Sequence, residues 1–417
     1  MKEKLKVGYV GLGRRGMAVL EHDLLPMRDV EVAYLCDTYP PALQKAAGLF
    51  AAAGLPVPRR VADYREILRD ASVDAVLLMT GWDGRVEMAE ASLLAGKYTA
   101  TEVGCAFSLA ECERLLAAHK RTGAHLMMLE NTCYMRRELM LLNVAHRGLF
   151  GEIVHCSGGY HHDIRACDLL RGIDGENPHY RIASYRKRNC EQYPTHELGP
   201  ISKVLGIGRG NRFLSLSSFA SKARGLREGA RRILGEDSPH AHVTYTQGDI
   251  VNTVLTCENG ETVLLCLDTT LPRPFSTRNY TIRGTRGMFS EARRVLFFEG
   301  MEENLENNEE SARNTYEHPL FKEFLARGIV GGHDGADYLV VRAFIEAAKR
   351  GERPPIDTYD TLTWMAIAPL SEASIRAGGA PVEFPDFSDG AWRDTAPLLS
   401  KYSLDTVMDD PATPIVP

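Results

Sequence analysis

Lys6-Val7-Gly8-Tyr9-Val10-Gly11-Leu12-Gly13-Arg14-Arg15-Gly16-Met17 is the stretch on which the reading of the fold turns. An apolar run of strand length passes straight into three glycines and then into an apolar helical pattern. In that context the glycines have separate jobs. Gly11 makes the tight turn, Gly13 lets backbone approach a pyrophosphate, and Gly16 lets helix and strand pack closely, with the phosphates at the positive end of the helix. Arg14 and Arg15 lie inside the same loop and are placed with the glycines among the cofactor contacts. A second apolar strand over 30–36 ends at Asp37, about 20 residues beyond the motif, where a carboxylate can accept both hydroxyls of an adenosine ribose. Thr38 and Tyr39 follow it, and no arginine does, so a 2′-phosphate would meet uncompensated negative charge. The cofactor expected is NAD rather than NADP.

Outward from this motif, helical patterns at 41–53, 86–94 and 109–120 alternate with strand patterns at 75–79, 98–102 and 125–129. Five strands separated by helices point to a doubly wound parallel sheet of the Rossmann type. After Gly151 the texture changes. Segments 153–159, 212–219, 242–245, 250–257, 262–268 and 279–283 read as strands parted by polar or Gly-containing turns, with few long helical patterns between them. Such a run implies an α+β part built on a mostly antiparallel sheet. The expected division is 1–130 for the NAD-binding domain and 131–417 for substrate binding and oligomerisation, the outer face of the second sheet making a homo-oligomer contact. Helical patterns over 337–349 and 362–377 are expected to pack back on the first domain. The acidic, Asn-rich stretch 301–314 reads as an exposed loop.

A chain of 417 residues is not one small module. With 55 acidic against 49 basic residues the net charge is -6, which offers no basic field for a phosphate backbone, and nucleic acid is excluded as a partner. No apolar run approaches the ~20 residues of a membrane span. Nine cysteines are scattered from Cys36 to Cys266 with no CxxC pair, which reads as reduced thiols. The chain enters a strand almost at once, leaving no room for a signal sequence, so a cytoplasmic protein is expected.

The segment Ala100-Thr101-Glu102 at the end of the fourth of these strands, within a Rossmann half followed by a β-rich half, resembles the Gfo/Idh/MocA oxidoreductases. There this strand usually runs into Glu-Lys-Pro and a later Asp-x-x-x-His supplies the proton-transfer pair. Here the matching residues are Glu102-Val103-Gly104 and Gln192-Tyr193-Pro194-Thr195-His196, without the Lys or the Asp. A narrower resemblance accounts for both departures. Glu130-Asn131-Thr132-Cys133-Tyr134, Gly158-Gly159-Tyr160-His161-His162-Asp163, Tyr193-Pro194-Thr195-His196-Glu197-Leu198-Gly199-Pro200, Gly332-His333-Asp334-Gly335-Ala336-Asp337-Tyr338 and Pro385-Asp386-Phe387 are similar to the NAD-dependent glycoside hydrolases of family 109, best known for α-N-acetylgalactosaminidase activity. That family often has Gly where Glu197 stands and a His near Arg85.

The resemblance implies a redox-neutral hydrolysis of a sugar glycoside: oxidation at sugar C3, loss of the acidified C2 proton, elimination at C1, addition of water and re-reduction. Such a route needs proton-handling groups and a tightly held cofactor rather than two flanking carboxylates. Tyr193 and His196 are the catalytic candidates, and three residues apart on a helical turn they share one face. Tyr160, His162, Asn131 and His333 are the substrate-binding candidates, and Trp82 and Glu102 join the glycines as cofactor contacts. Glu102 and Asn131 stand at carboxyl ends of parallel strands, where ligands bind, although helix capping would also account for Asn131. Asp337 is equally readable as a helix cap, and Arg186-Lys187-Arg188 as a solvated face. His161, His162 and Asp163 are adjacent on a strand, so they point to opposite faces, and with no third ligand in sight no metal is expected. The alternatives are a net sugar or cyclitol oxidoreductase of the Gfo/Idh/MocA type and a non-catalytic NAD-binding sensor.

Asp37 predicts tighter binding of NAD(H) than NADP(H) by calorimetry, and equal affinities would contradict its role. A larger residue in place of Gly13 should weaken cofactor binding, whereas unchanged affinity would put the cofactor elsewhere.

Overall fold

The computed structural model describes residues 3–175, 178–301 and 306–407. Strands β1 (Leu5–Val10), β2 (Val30–Cys36), β3 (Arg59–Val61), β4 (Ala75–Leu78), β5 (Tyr98–Thr101) and β6 (Leu126–Met128) form one sheet in the order β3-β2-β1-β4-β5-β6. Every pairing is parallel. All four residues of β4 are buried, as a strand covered on both faces requires. The strand order reverses between β1 and β4, and at such a point the loops part and open a crevice at the carboxyl ends. The short β3, with two exposed arginines in three residues, carries no apolar alternation and was not expected.

The second sheet has eight strands: β7 (Ile153–His161), β8 (Phe213–Ala220), β9 (Ile250–Cys257), β10 (Thr262–Asp268), β11 (Thr281–Gly284), β12 (Gly287–Ser290), β13 (Val295–Phe298) and β14 (Val382–Glu383). Their order is β13-β12-β11-β7-β10-β9-β8-β14, antiparallel except for the β7–β10 pair. The expected strand over 242–245 is absent. That segment leads instead to Thr246 and Gln247, whose N–H groups both point to the Tyr185 carbonyl at 3.1 and 3.2 Å. Helices are also more frequent here than the patterns suggested, including Arg136–His146, Arg181–Lys187, Thr195–Val204, Gly225–Leu234 and Pro319–Arg327. Thr195–Val204 contains Gly199 and Pro200, which read as breakers. Of the stretch expected as an exposed loop, 302–305 lies outside the described residues and Glu309–Thr315 is a helix. Its Glu309 is fully buried, paired with Arg137 at 2.8 Å and with Arg313, so acidic composition there marks an ion-pair cluster rather than solvation.

The late helices close the first sheet. Thr358 and Thr361, on the helix Thr358–Met365, accept the Leu126 and Met128 N–H groups at 3.0 Å each, which satisfies the otherwise bare edge of β6. The helix expected over 362–377 is two helices, ending and restarting around Ala366. Pro369 has no N–H for the Met365 carbonyl, and the Ala106 N–H takes it at 3.1 Å. Ala336–Arg350 docks by a paired contact of Arg342 with Asp29 at 2.6 and 2.7 Å. No helix among the described residues is long and apolar enough to cross a membrane.

Candidate functional site

The loop after β1 has the shape that its glycines require. Gly11 adopts φ +96°, and a Cβ there would stand 2.7 Å from the Met79 carbonyl carbon. A Cβ on Gly16 would collide with the Gly11 carbonyl oxygen, whereas one on Gly13 would meet nothing within 4 Å. The open space lies where a pyrophosphate must approach, so the loop fits a dinucleotide. Asp37 is half-buried and accepts the Leu12 N–H at 2.7 Å and the Tyr39 N–H at 2.8 Å, which aims its carboxylate at the same loop. Beyond β4, the buried Trp82 indole N–H has no partner, a donor left over for a ligand.

Arg14 and Arg15 part company. Arg14 is exposed, 3.8 Å from Asp168. Arg15 turns inward to Glu102 at 2.9 Å and, with both terminal nitrogens, to Asp337 at 2.5 and 2.7 Å. Asp337 also accepts the Asn131 amide at 2.7 Å and lies 2.7 Å from His333 Nδ1. It therefore ties together the glycine loop, the end of β5, the turn after β6 and the loop carrying His333. It makes no side-chain cap bond on its own helix, so the capping alternative fails. Burial pushes its carboxyl up, but Arg15 and His333 together hold it far below the usual carboxylate range, and its hydrogen bond raises His333 in turn.

The other end of the site is aromatic. Tyr160, near the end of β7, and His162, the first residue past it, stack with centroids 4.0 Å apart. Tyr193 packs 4.4 Å from Tyr160 and edge-on to His196 at 5.0 Å, so the pair expected to share a face does meet. The buried Arg181 guanidinium lies 4.2 Å from the Tyr193 centroid and 5.5 Å from Trp82. Among the described residues no carboxylate pairs with it, and its hydrogen-bond partner is the Tyr180 hydroxyl at 3.4 Å. Burial pushes the Tyr193 phenol well above its usual range despite the nearby Arg181 cation, and pushes His162 down to about 3. At neutral pH both rings are therefore uncharged.

His196 is held from two directions. Its Nδ1 lies 2.7 Å from Oε1 of the fully buried Glu130, directly after β6. Its backbone carbonyl would normally accept the N–H of residue 200, which is proline. The Thr132 hydroxyl lies 2.7 Å from that carbonyl and 2.8 Å from Glu130 Oε1. Burial acts to raise the Glu130 carboxyl, but His196 and the Thr195 and Thr132 hydroxyls outweigh it, and the net direction is downward. Glu191 and Glu197 are buried without such help. Desolvation lifts Glu191 to about 8 and Glu197 well above the usual range, so both are protonated. Glu197 packs on Gly158, where an added Cβ would come 2.8 Å from its Cγ. Arg85 is buried and donates to the Val103 carbonyl at 3.0 Å, beside Trp82 across Gly104.

Arg181 lacked a sequence signal of its own, and so did the long-range partnerships of Glu130 with His196, 66 residues away, and of Asp337 with Arg15, 322 residues away; the four-residue spacing of His333 and Asp337 was the one local signal. In the basic run, Arg186 and Lys187 are exposed, but Arg188 is drawn in by Glu372 at 2.7 Å.

Comparison with known proteins bears on this geometry. Residues 5–130 match the model of the oxidoreductase family with an NAD-binding Rossmann fold, and residues 134–394 match that of the glycosyl hydrolase 109 C-terminal domain. A glycosyl hydrolase family 109 protein of Stenotrophomonas maltophilia is 37% identical over 95% of this chain and 92% of its own. An alpha-N-acetylgalactosaminidase of Tannerella forsythia is 34% identical over 95% of this chain and 89% of its own. Among solved structures, an inositol dehydrogenase homolog from Azotobacter vinelandii complexed with NAD+ superposes with a TM-score of 0.66 at 18% identity, covering 92% of this chain and 98% of its own. The WlbA dehydrogenase from Bordetella pertussis, in complex with NADH and UDP-GlcNAcA, gives 0.64 at 17%, covering 92% and 99%. These two show the fold.

His196→Ala and Tyr193→Phe should each cut turnover by on the order of 10²–10⁴ while leaving NAD affinity largely intact, because general acid–base groups contribute in that range. Unchanged turnover in both variants would remove the pair from the chemistry.

Proposed function

The chain belongs to glycoside hydrolase family 109 and carries an NAD-binding Rossmann half, and we propose that it hydrolyses glycosides of an N-acetylhexosamine in an NAD-dependent reaction with no net oxidation. The observation that carries this reading is the His196 imidazole, bonded to Glu130 at 2.7 Å and edge-on to the uncharged phenol of Tyr193. The ordinary glycosidase route needs two carboxyl groups open to the glycosidic bond. Here the carboxyls of Glu130, Glu191 and Glu197 are all buried.

The chemistry that a bound NAD supplies is reversible hydride transfer at sugar C3. On the turn that Gly11 and Gly16 pack tightly, Gly13 would leave room for its pyrophosphate, Asp37 would take the ribose hydroxyls, and Trp82 and Glu102 would border the nicotinamide side. The residues of the chain are left with proton tasks, first at the C3 hydroxyl and then at C2, whose hydrogen becomes acidic once its neighbour is a ketone. His196, with Nδ1 turned to Glu130, offers Nε2 as the base. Tyr193 donates and recovers a proton from its hydroxyl beside it. Arg181, a buried cation without a carboxylate, donates to a sugar oxygen, and Tyr160 and His162 form the wall against which the ring rests. Asn131 and His333 reach the site from Asp337.

We further take 1–130 as the NAD-binding part and 131–417 as the part for substrate and self-association, with exposed Phe219 and Val254 on the second sheet supporting contact with another copy. Nine unpaired cysteines support a cytoplasmic home.

A panel of aryl N-acetylhexosaminides, run with NAD+, tests the reading. Many turnovers of released aryl alcohol should accompany no growth of the reduced nicotinamide band. Steady NADH production from a free sugar would make the protein a net oxidoreductase, and NAD binding with neither reaction would make it a sensor.

A further inference from the structure

The geometry points to Glu130 as the positioning residue of His196: it fixes the ring with the proton on Nδ1 and supplies the negative charge that complements the imidazolium formed when Nε2 takes a proton. This rests on the proposed reading of His196 as a proton-transfer group. Glu130 is fully buried and yet held ionised, an arrangement that costs several kcal/mol unless the charge is compensated. The compensation converges on one oxygen. Oε1 faces His196 Nδ1 at 2.7 Å and the Thr132 N–H at 3.1 Å, and at 2.8 Å it shares the one Thr132 hydroxyl proton with the His196 carbonyl, whereas Oε2 has no hydrogen-bond partner among the described residues. A carboxylate has no proton to give, so the hydrogen between Glu130 and His196 belongs to Nδ1, and a neutral ring then carries its lone pair on Nε2.

The residue one turn before His196 does not compete for this place. Gln192 bonds through its amide to Gln247, away from the ring. The backbone supports the same alignment, because the Thr132 hydroxyl reaches the His196 carbonyl that Pro200 leaves free. Backbone and ring of His196 are thus both referred to one turn, Asn131–Tyr134, at the end of the first sheet. A carboxylate in this position does not itself move a proton. It selects the tautomer and favours the cation, and losing it can cost orders of magnitude in turnover with the geometry intact.

The simpler alternative is that Glu130 only caps the turn through the Thr132 N–H. Nitrogen NMR of the full chain, labelled with ¹⁵N-histidine and saturated with NAD+, separates the two. His196, identified by its loss in His196→Ala, should show a protonated Nδ1 and a bare Nε2 in the wild type. Glu130→Leu should abolish that signature. Glu130→Gln, which keeps an acceptor but removes the charge, should retain it while kcat on an aryl N-acetylhexosaminide falls on the order of 10²-fold at nearly constant KM. A proton on Nε2 in the wild type, or wild-type kcat in both Glu130 variants, would overturn the inference. If the wild type cleaves no such glycoside the functional reading fails, and the nitrogen signature still decides the role of Glu130.

Discussion

A proline inside a helix leaves one carbonyl without its partner, and in this protein that carbonyl belongs to His196. A buried helix cannot leave it bare, because an unpaired polar group out of reach of water costs about 1–3 kcal/mol. The Thr132 hydroxyl supplies the bond, its one proton shared with Glu130 Oε1, and Thr132 belongs to the turn that leaves the first sheet. The constraint therefore joins the helix Thr195–Val204 to the carboxyl end of β6. With the backbone tied there, the His196 ring falls on Glu130 and its edge on Tyr193. The His196 ring is thus set beside Glu130 and Tyr193 by bonds that the helix could not make for itself.

A second tie does the same for the opposite wall. Asp337 gathers Arg15 from the glycine loop, Asn131 from the turn after β6 and His333 from its own loop, so one buried carboxylate sets the spacing of three segments. Asn131 and Thr132 are adjacent, which makes the short turn Asn131–Tyr134 the shared floor of both arrangements. Charge is also distributed by this design. Carboxylates with cationic or hydroxyl partners, Asp337 and Glu130, stay ionised, while Glu191 and Glu197 are neutralised by burial. Two buried cations have no carboxylate ion pair among the described residues: Arg85, which donates to the Val103 carbonyl, and Arg181, against the face of Tyr193.

Much of this was legible in the sequence where the signal is local. Periodicity and glycine spacing mark β1, the turn and β2 because each residue there is constrained by its immediate neighbours. Tyr193 and His196 lie three apart and do meet, although not as the helical turn expected, since Tyr193 precedes the helix that begins at Thr195. The strand over 242–245 failed because a short β-branched and aromatic run is indistinguishable from a loop until a neighbouring strand is known, and the bonds to the Tyr185 carbonyl begin only at Thr246 and Gln247. Pro200 and Gly199 hid a helix whose broken bond is repaired from another element. Glu130, Arg181 and most of the hub at Asp337 are defined by partners brought in by the fold; only the four-residue spacing of His333 and Asp337 announces one of its bonds. The cap alternative for Asp337 and the loop expected at Glu309 failed for one reason: these two carboxylates were counted as solvated where arginines from elsewhere neutralise them.

The central claim is that a group for handling protons, rather than a pair of flanking carboxylates, breaks the glycosidic bond, and this requires the sugar C2–H bond to open and re-form in each turn. Hydrolysis of an N-acetylhexosaminide in D2O, followed by NMR of the released sugar, tests it most directly. The account predicts solvent deuterium at C2. A product that carries none at C2, from an enzyme that does cleave the glycoside, would contradict the account.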